Sequence, residues 1–139
     1  MTVNQTWNVC NKATDIEACG QELRQLLVDQ GLDQAVVDKI TYHALGTLRM
    51  ALDYGNGLEP TNTATLQVWA NEQSVRLVVR GAGLSIDHST VSSAEQAHRV
   101  TSLMGVMLLL TTLFKHVKRD PAGVLNLVYV RKDPDDKED

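Results

Sequence analysis

Apolar residues recur along the chain with two different periods. Ile16, Leu23, Leu26 and Leu27 fall at helical spacing, which gathers them on one side of an α-helix. Thr14 or Asp15 is placed to cap that helix, Glu17 falls in its first turn and Gly31 is a natural stop. The same period runs on through Val36, Val37, Ile40, Ala44, Leu45, Leu48, Ala51 and Leu52, with Asp33 as cap. Tyr54-Gly55-Asn56-Gly57 and then Pro60 should end this second helix, and Asp38, Lys39, Thr41 and Arg49 form its wetter side.

The period then drops to two. From Ala64 to Ala70, Leu66 and Val68 alternate with Thr65, Gln67 and Trp69; Asn71-Glu72-Gln73 turns the chain, and Val75, Leu77 and Val79 mark the returning strand. A second hairpin is predicted near the end, His116 to Arg119 against Val124 to Val130, turning at Asp120-Pro121-Ala122-Gly123. In its second strand Val124, Asn126, Val128 and Val130 share one side and Leu125, Leu127 and Tyr129 the other. Residues 5–10 predict a short edge strand anchored by Trp7. Between the hairpins, Asp87 to Thr101 is polar and reads as a loop with one helical turn at Ala94 to His98. A helix should start at Ser102 or Leu103 and run to about Phe114. Leu103, Met104, Val106, Met107, Leu108, Leu109 and Leu110 make it apolar on nearly every side, which implies burial on more than one face.

The predicted order is strand, helix, helix, hairpin, loop, helix, hairpin. It implies an α+β two-layer sandwich, with a mostly antiparallel mixed sheet and three helices on one face. One domain should span residues 1–132. The tail, 133–139, is acidic, broken by Pro134 and without an apolar face, and is expected to be disordered. No internal repeat is visible.

Composition narrows the classes. With 139 residues and 43% apolar content, the chain can bury a core without disulfides or metal. The net charge of −4 and the lack of a basic stripe argue against nucleic acid. The N-terminus lacks the features of a signal peptide, and Leu103 to Phe114 is too short to span a bilayer, so a soluble, cytoplasmic protein is expected. Cys10 and Cys19 are then expected as free thiols, and two cysteines alone make no zinc site.

Candidate chemistry centres on Ser74 to Asp87, where a strand runs into Gly81-Ala82-Gly83. Such a junction can bring backbone against a ligand, although on the glycines alone a plain turn is the simpler reading. It lies between a long helix upstream and a second glycine-containing helix start downstream. Three segments carry a resemblance: 44–55 (Ala-Leu-Gly-Thr-Leu-Arg-Met-Ala-Leu-Asp-Tyr-Gly), 79–86 (Val-Arg-Gly-Ala-Gly-Leu-Ser-Ile) and 103–106 (Leu-Met-Gly-Val). Together with the element order, they make the chain, roughly Trp7 to Arg131, resemble the ATP-binding domain of the GHKL superfamily of histidine kinases and gyrase. Within it, the chain looks like the small anti-sigma-factor serine kinases of bacteria. The segments correspond to the family's N-box helix and its first and second glycine boxes, the second opening the last helix of this Bergerat-type fold.

The resemblance implies an ATP and Mg²⁺ site, and there the chain departs from the family. The N-box of the family has Glu as general base and Asn as magnesium ligand; here those positions are Gly46 and Met50. The Asp that accepts the adenine amino group is Gly81, the later glycine of that box is Ser85, and the first glycine of the second box is Leu103. Gly83 and Gly105 alone remain as cofactor-binding positions. A thioether is no ligand for a hard cation, Gly46 cannot accept a proton, and phosphoryl transfer depends on metal and positioning. Catalysis is therefore not expected. Asp53, Asn56 and Asp87 are the nearby oxygen-bearing side chains, read as solvated surface.

The remaining candidates are bland. No two of His43, His88, His98 and His116 form a zinc-spaced pair. His43 is read as a partly buried structural histidine, and His98 with Arg99 as part of a solvated lid loop. Met50, Met104 and Met107 are read as core filling. By the resemblance, the protein is expected to be a regulator with a decayed nucleotide site. It would bind a sigma factor, a STAS-domain antagonist or both in a partner-switching pathway, a homodimer being a further contact that the resemblance allows. An active serine kinase acting on the STAS protein with Mg-ATP is the alternative; a phosphotransfer adaptor ranks below both.

Overall fold

The computed structural model describes residues 2–52, 63–85 and 94–131. Strand β1 (Val3–Cys10) leads into α1 (Ala13–Asp29) and α2 (Gln34–Leu52). The hairpin β2 (Thr63–Ala70) and β3 (Ser74–Arg80) follows, then a 3₁₀ turn (Ala82–Leu84), α3 (Ala94–Leu110) and the hairpin β4 (His116–Asp120) and β5 (Val124–Val130). The five strands lie in the order β1-β2-β3-β5-β4. Every pairing among them is antiparallel, so the sheet is not mixed as expected.

The register puts the apolar set of each strand on one face. Trp7 stands opposite Leu66, Leu66 opposite Val79, and Val79 opposite Leu125. Because side chains alternate, this one alignment sends Val68, Leu77 and Leu127 to the same side. All of these are buried and pack with Leu23 and Leu27 of α1, Ile40, Leu48 and Leu52 of α2, and Leu103 and Leu110 of α3. Each such aliphatic side chain contributes about 1.5–3 kcal/mol by leaving water. The outer face of the sheet is mixed, with Val78 buried on it, and is cross-linked: Arg76 stacks over Trp69 at 5.0 Å and donates to the Asn126 side chain at 3.0 Å.

The helix boundaries show which local signals acted. Gly31 does terminate α1: at φ 80° it takes the left-handed conformation that a Cβ disfavours. Its amide donates to the Val28 carbonyl at 2.9 Å, and the Leu32 amide to the Leu27 carbonyl at 3.3 Å, which is a Schellman closure. The start of α1 is not capped by Thr14 or Asp15. The chain turns at Lys12, whose carbonyl accepts the amides of Asp15 and Ile16, and no side chain caps the helix. On α2, Thr41 is buried rather than on the wet side, and its hydroxyl has no partner among the described residues. Arg24 of α1 pairs with Asp38 of α2 on the exposed side of the two helices, and the Asp38 carboxyl is held below its usual range, chiefly by the hydrogen bond from Arg24 and then by that from Gln34.

The largest correction is α3, which opens at Ala94 and not at Ser102 or Leu103. It is not buried on several faces either: Met104, Leu108 and Leu109 are 51%, 69% and 61% exposed. The proposed stop at Tyr54 to Pro60, the loop residues 87–93 and the tail 133–139 lie outside the described residues.

Candidate functional site

The glycine-rich corner after β3 is built from backbone. The Gly81 amide donates to the Gly123 carbonyl in the β4–β5 turn at 3.0 Å, and the Gly81 carbonyl accepts from the Leu84 amide at 3.1 Å. The Ala82 carbonyl accepts from Ser85 at 3.0 Å, and Arg119 Nη1 donates to the Leu84 carbonyl at 3.0 Å. Gly123 makes this docking possible: its φ is +101°, and a Cβ there would come within 2.8 Å of the Gly81 oxygen. Gly83 and Leu84 are buried in the 3₁₀ turn. The polar backbone of the corner is thus largely engaged within the protein.

Gly81 also marks where β3 meets the last turn of α2. A Cβ on it would lie 2.6 Å from both the Cβ and the carbonyl oxygen of Ala51 and 3.0 Å from the Ala51 carbonyl carbon. Its φ of 176° is extended backbone open to any residue, so the need for glycine here is purely one of space. The fold therefore brings the end of α2 and the first glycine segment together. No acceptor can be placed on Gly81 without displacing the helix backbone.

The other predicted positions lie apart in character. Gly46 is exposed on α2, and a Cβ there would meet nothing within 4 Å. Met50, one turn on, is half-buried and packs against the core. Gly105 is the twelfth of the 17 residues of α3. It is exposed with open space around it, so it does not open a helix, and its amide lies beyond the first-turn donors that could face an anion. Ser85 is exposed and Leu103 fully buried. Asp53, Asn56, Asp87 and His88 fall outside the described residues.

His43 is half-buried with its ring edge-on to Tyr42 at 5.4 Å and to Phe114 at 6.4 Å, and burial holds its pKa below 6.5. That arrangement fits the structural histidine read from the sequence. His98 is exposed but stands on α3 rather than in a loop, and His116 is exposed on β4. Met107 does pack against the core, whereas Met104 does not, contrary to its reading as core filling. Cys10 and Cys19 are free thiols, and burial, then Glu22, pushes the Cys19 thiol up to about 12. Among the described residues no three His, Cys, Asp or Glu side chains are arranged to hold a metal ion. No described helix is long and apolar enough to cross a membrane.

Sequence reading missed the exposed apolar face of α3. Residues 101–114 carry no charge, and an uncharged run gives no mark of which side meets water. No protein-family model matches the chain, and no curated protein matches it.

Proposed function

We propose that this chain is a cytoplasmic, anti-sigma-factor-like regulator of the GHKL type that works by protein binding, its nucleotide site having decayed. The observation that carries this reading is the contact between Gly81 and Ala51, because the place that would need an adenine acceptor is taken by the backbone of α2. Met50 agrees with it: the position that would need a magnesium ligand holds a half-buried methionine packed against the core. The residues present therefore do not fit Mg-ATP, and no phosphoryl-transfer step is derived from them. The element order from β1 to β5 supports the family reading, and the uncharged face of α3 bearing Met104, Leu108 and Leu109 supports binding to a protein. The partners proposed are a sigma factor or its STAS-domain antagonist.

Pull-down of the purified chain against the sigma factors and STAS proteins of its source, with and without Mg-ATP, tests the proposal. Retention of one of them to the same extent in both conditions is the expected result. Transfer of labelled phosphate from ATP to a STAS serine would overturn it in favour of an active kinase.

A further inference from the structure

We propose that the outer edge of β1, together with the groove between β1 and α1, binds an extended peptide segment carrying basic side chains at alternate positions. This rests on β1 and α1 alone, so it stands or falls apart from the reading of the nucleotide site.

The two edges of the sheet are built differently. β4 is short, five residues, and carries Lys118, Arg119 and Asp120, the charged and abbreviated form that discourages further pairing. β1 is eight residues long, Val-Asn-Gln-Thr-Trp-Asn-Val-Cys, without a charge or a proline. Its register with β2 is unbroken from Val3–Ala70 to Cys10–Thr63, so no bulge turns the edge away. Among the described residues β2 is its only strand partner. Half of its amides and carbonyls consequently point outward, in the geometry that an added strand uses.

Beside this edge lies a groove of about 400 Å³ lined by Val3 and Gln5 of β1 and by Glu22, Gln25, Leu26, Asp29 and Gln30 of α1 and its end. Glu22, Gln25 and Asp29 follow one another at helical spacing along one flank of α1. Arg24, on another flank, is committed to Asp38 of α2. Among the described residues that line it, the groove thus has two carboxylates, Asp29 accepting from Gln25 Nε2 at 2.8 Å through one oxygen, and no cation, over a partly apolar floor of Val3 and Leu26. Residues two apart on a strand lie ~6.7 Å from one another, whereas Glu22 and Asp29 are ~10.5 Å apart along the helix. Two basic residues separated by one or two alternations can therefore reach both carboxylates, with their methylene stems lying along Val3 and Leu26. The intervening side chains would turn to the polar outer face with Asn4, Thr6 and Asn8. A second copy pairing through its own β1 would bring Glu22 and Asp29 near their equivalents, which like charge disfavours.

The test uses a fluorescein-labelled octapeptide alternating Lys and Val, a matched Glu–Val peptide, and the Lys–Val peptide N-methylated at alternate amides. Each is titrated with the full chain by anisotropy, with amide exchange of β1 followed in parallel. The Lys–Val peptide should bind saturably and slow exchange in β1, and the other two should bind at least about tenfold more weakly. Glu22→Gln with Asp29→Asn, both on exposed positions, should weaken the Lys–Val peptide about tenfold with unchanged circular dichroism. Equal binding of the N-methylated peptide would reduce the effect to bulk charge and overturn the proposal. So would absence of saturable binding at millimolar peptide, or a dimer in sedimentation equilibrium that itself protects the β1 amides.

Discussion

Replacing Gly81 by alanine should destabilise the protein, while the same change at Gly46 and Gly105 should stabilise it. At Gly81 the new methyl would sit 2.6 Å from the Ala51 carbonyl oxygen and 2.6 Å from its Cβ. Carbon atoms pack comfortably at ~3.5–4.0 Å, so either β3 or the last turn of α2 must shift by roughly an ångström. The obstructing oxygen belongs to backbone and cannot rotate aside. Overpacking of this kind costs about 1–3 kcal/mol. The reduced freedom of the unfolded chain returns about 0.4–1 kcal/mol. A net loss of about 1–2 kcal/mol follows, or roughly 5 °C in Tm for a domain of this size.

Gly46 and Gly105 have open space within 4 Å and lie inside helices. Alanine there should add up to ~1 kcal/mol each. Urea unfolding followed by circular dichroism reads all three. Ala51→Gly in the Gly81→Ala background should restore only part of the loss, because the carbonyl remains. Gly81→Asp, which installs the acceptor that the family uses, should lose stability and gain no affinity for ATP. A Gly81→Ala protein as stable as the parent would refute the tight crossing. A Gly81→Asp protein that bound nucleotide would refute the argument built on it.

Thr41→Val should stabilise the protein by about 1 kcal/mol, since it removes a buried hydroxyl without a partner among the described residues. Thr47→Val should lose about as much, because the Thr47 hydroxyl donates to the His43 or Ala44 carbonyl at 3.0 or 2.9 Å; thermal unfolding separates the two. Burial lowers the pKa of His43, so its neutral form is favoured on folding; its contribution is complete above pH 6.5 and is lost as pH falls through the depressed value. Tm should therefore drop with acidification in that range, less steeply in His43→Gln, and NMR titration of the ring should give a midpoint below 6.5. Cys19, pushed up to about 12 in a buried site, should resist alkylation at pH 8 in the native protein while Cys10 reacts first.

How far each feature was legible depended on whether its signal was local. The hairpins were, because Leu66 and Val68, and likewise Leu77 and Val79, recur at every second position, and only one register buries them together with Leu127. Gly31 was too, since a left-handed stop is a property of a single residue. The start of α3 was not. Ser102 and Leu103 mark where apolarity begins, whereas the helix begins upstream at Ala94, in a polar stretch without the periodic face that reveals a helix. Thr41 misled for a related reason: hydroxyls favour surfaces, but position 41 follows Ile40 into the contact beneath α2, and tertiary packing decided its place.

The candidate site shows the same division more sharply. Sequence alone offered two reasons for a glycine at position 81: a ligand contact, abandoned if the resemblance to the GHKL domain holds, or a plain turn. The coordinates give a third, the passage of α2 at Ala51, and it differs from both in consequence. An abandoned contact could be restored by one substitution, and a plain turn would tolerate several. A crossing so close that a Cβ on Gly81 would lie 2.6 Å from Ala51 allows neither, because any side chain must move the helix that also carries Met50. Under the proposed reading, building nucleotide chemistry into this corner would therefore require the end of α2, Met50 and Gly81 to change together.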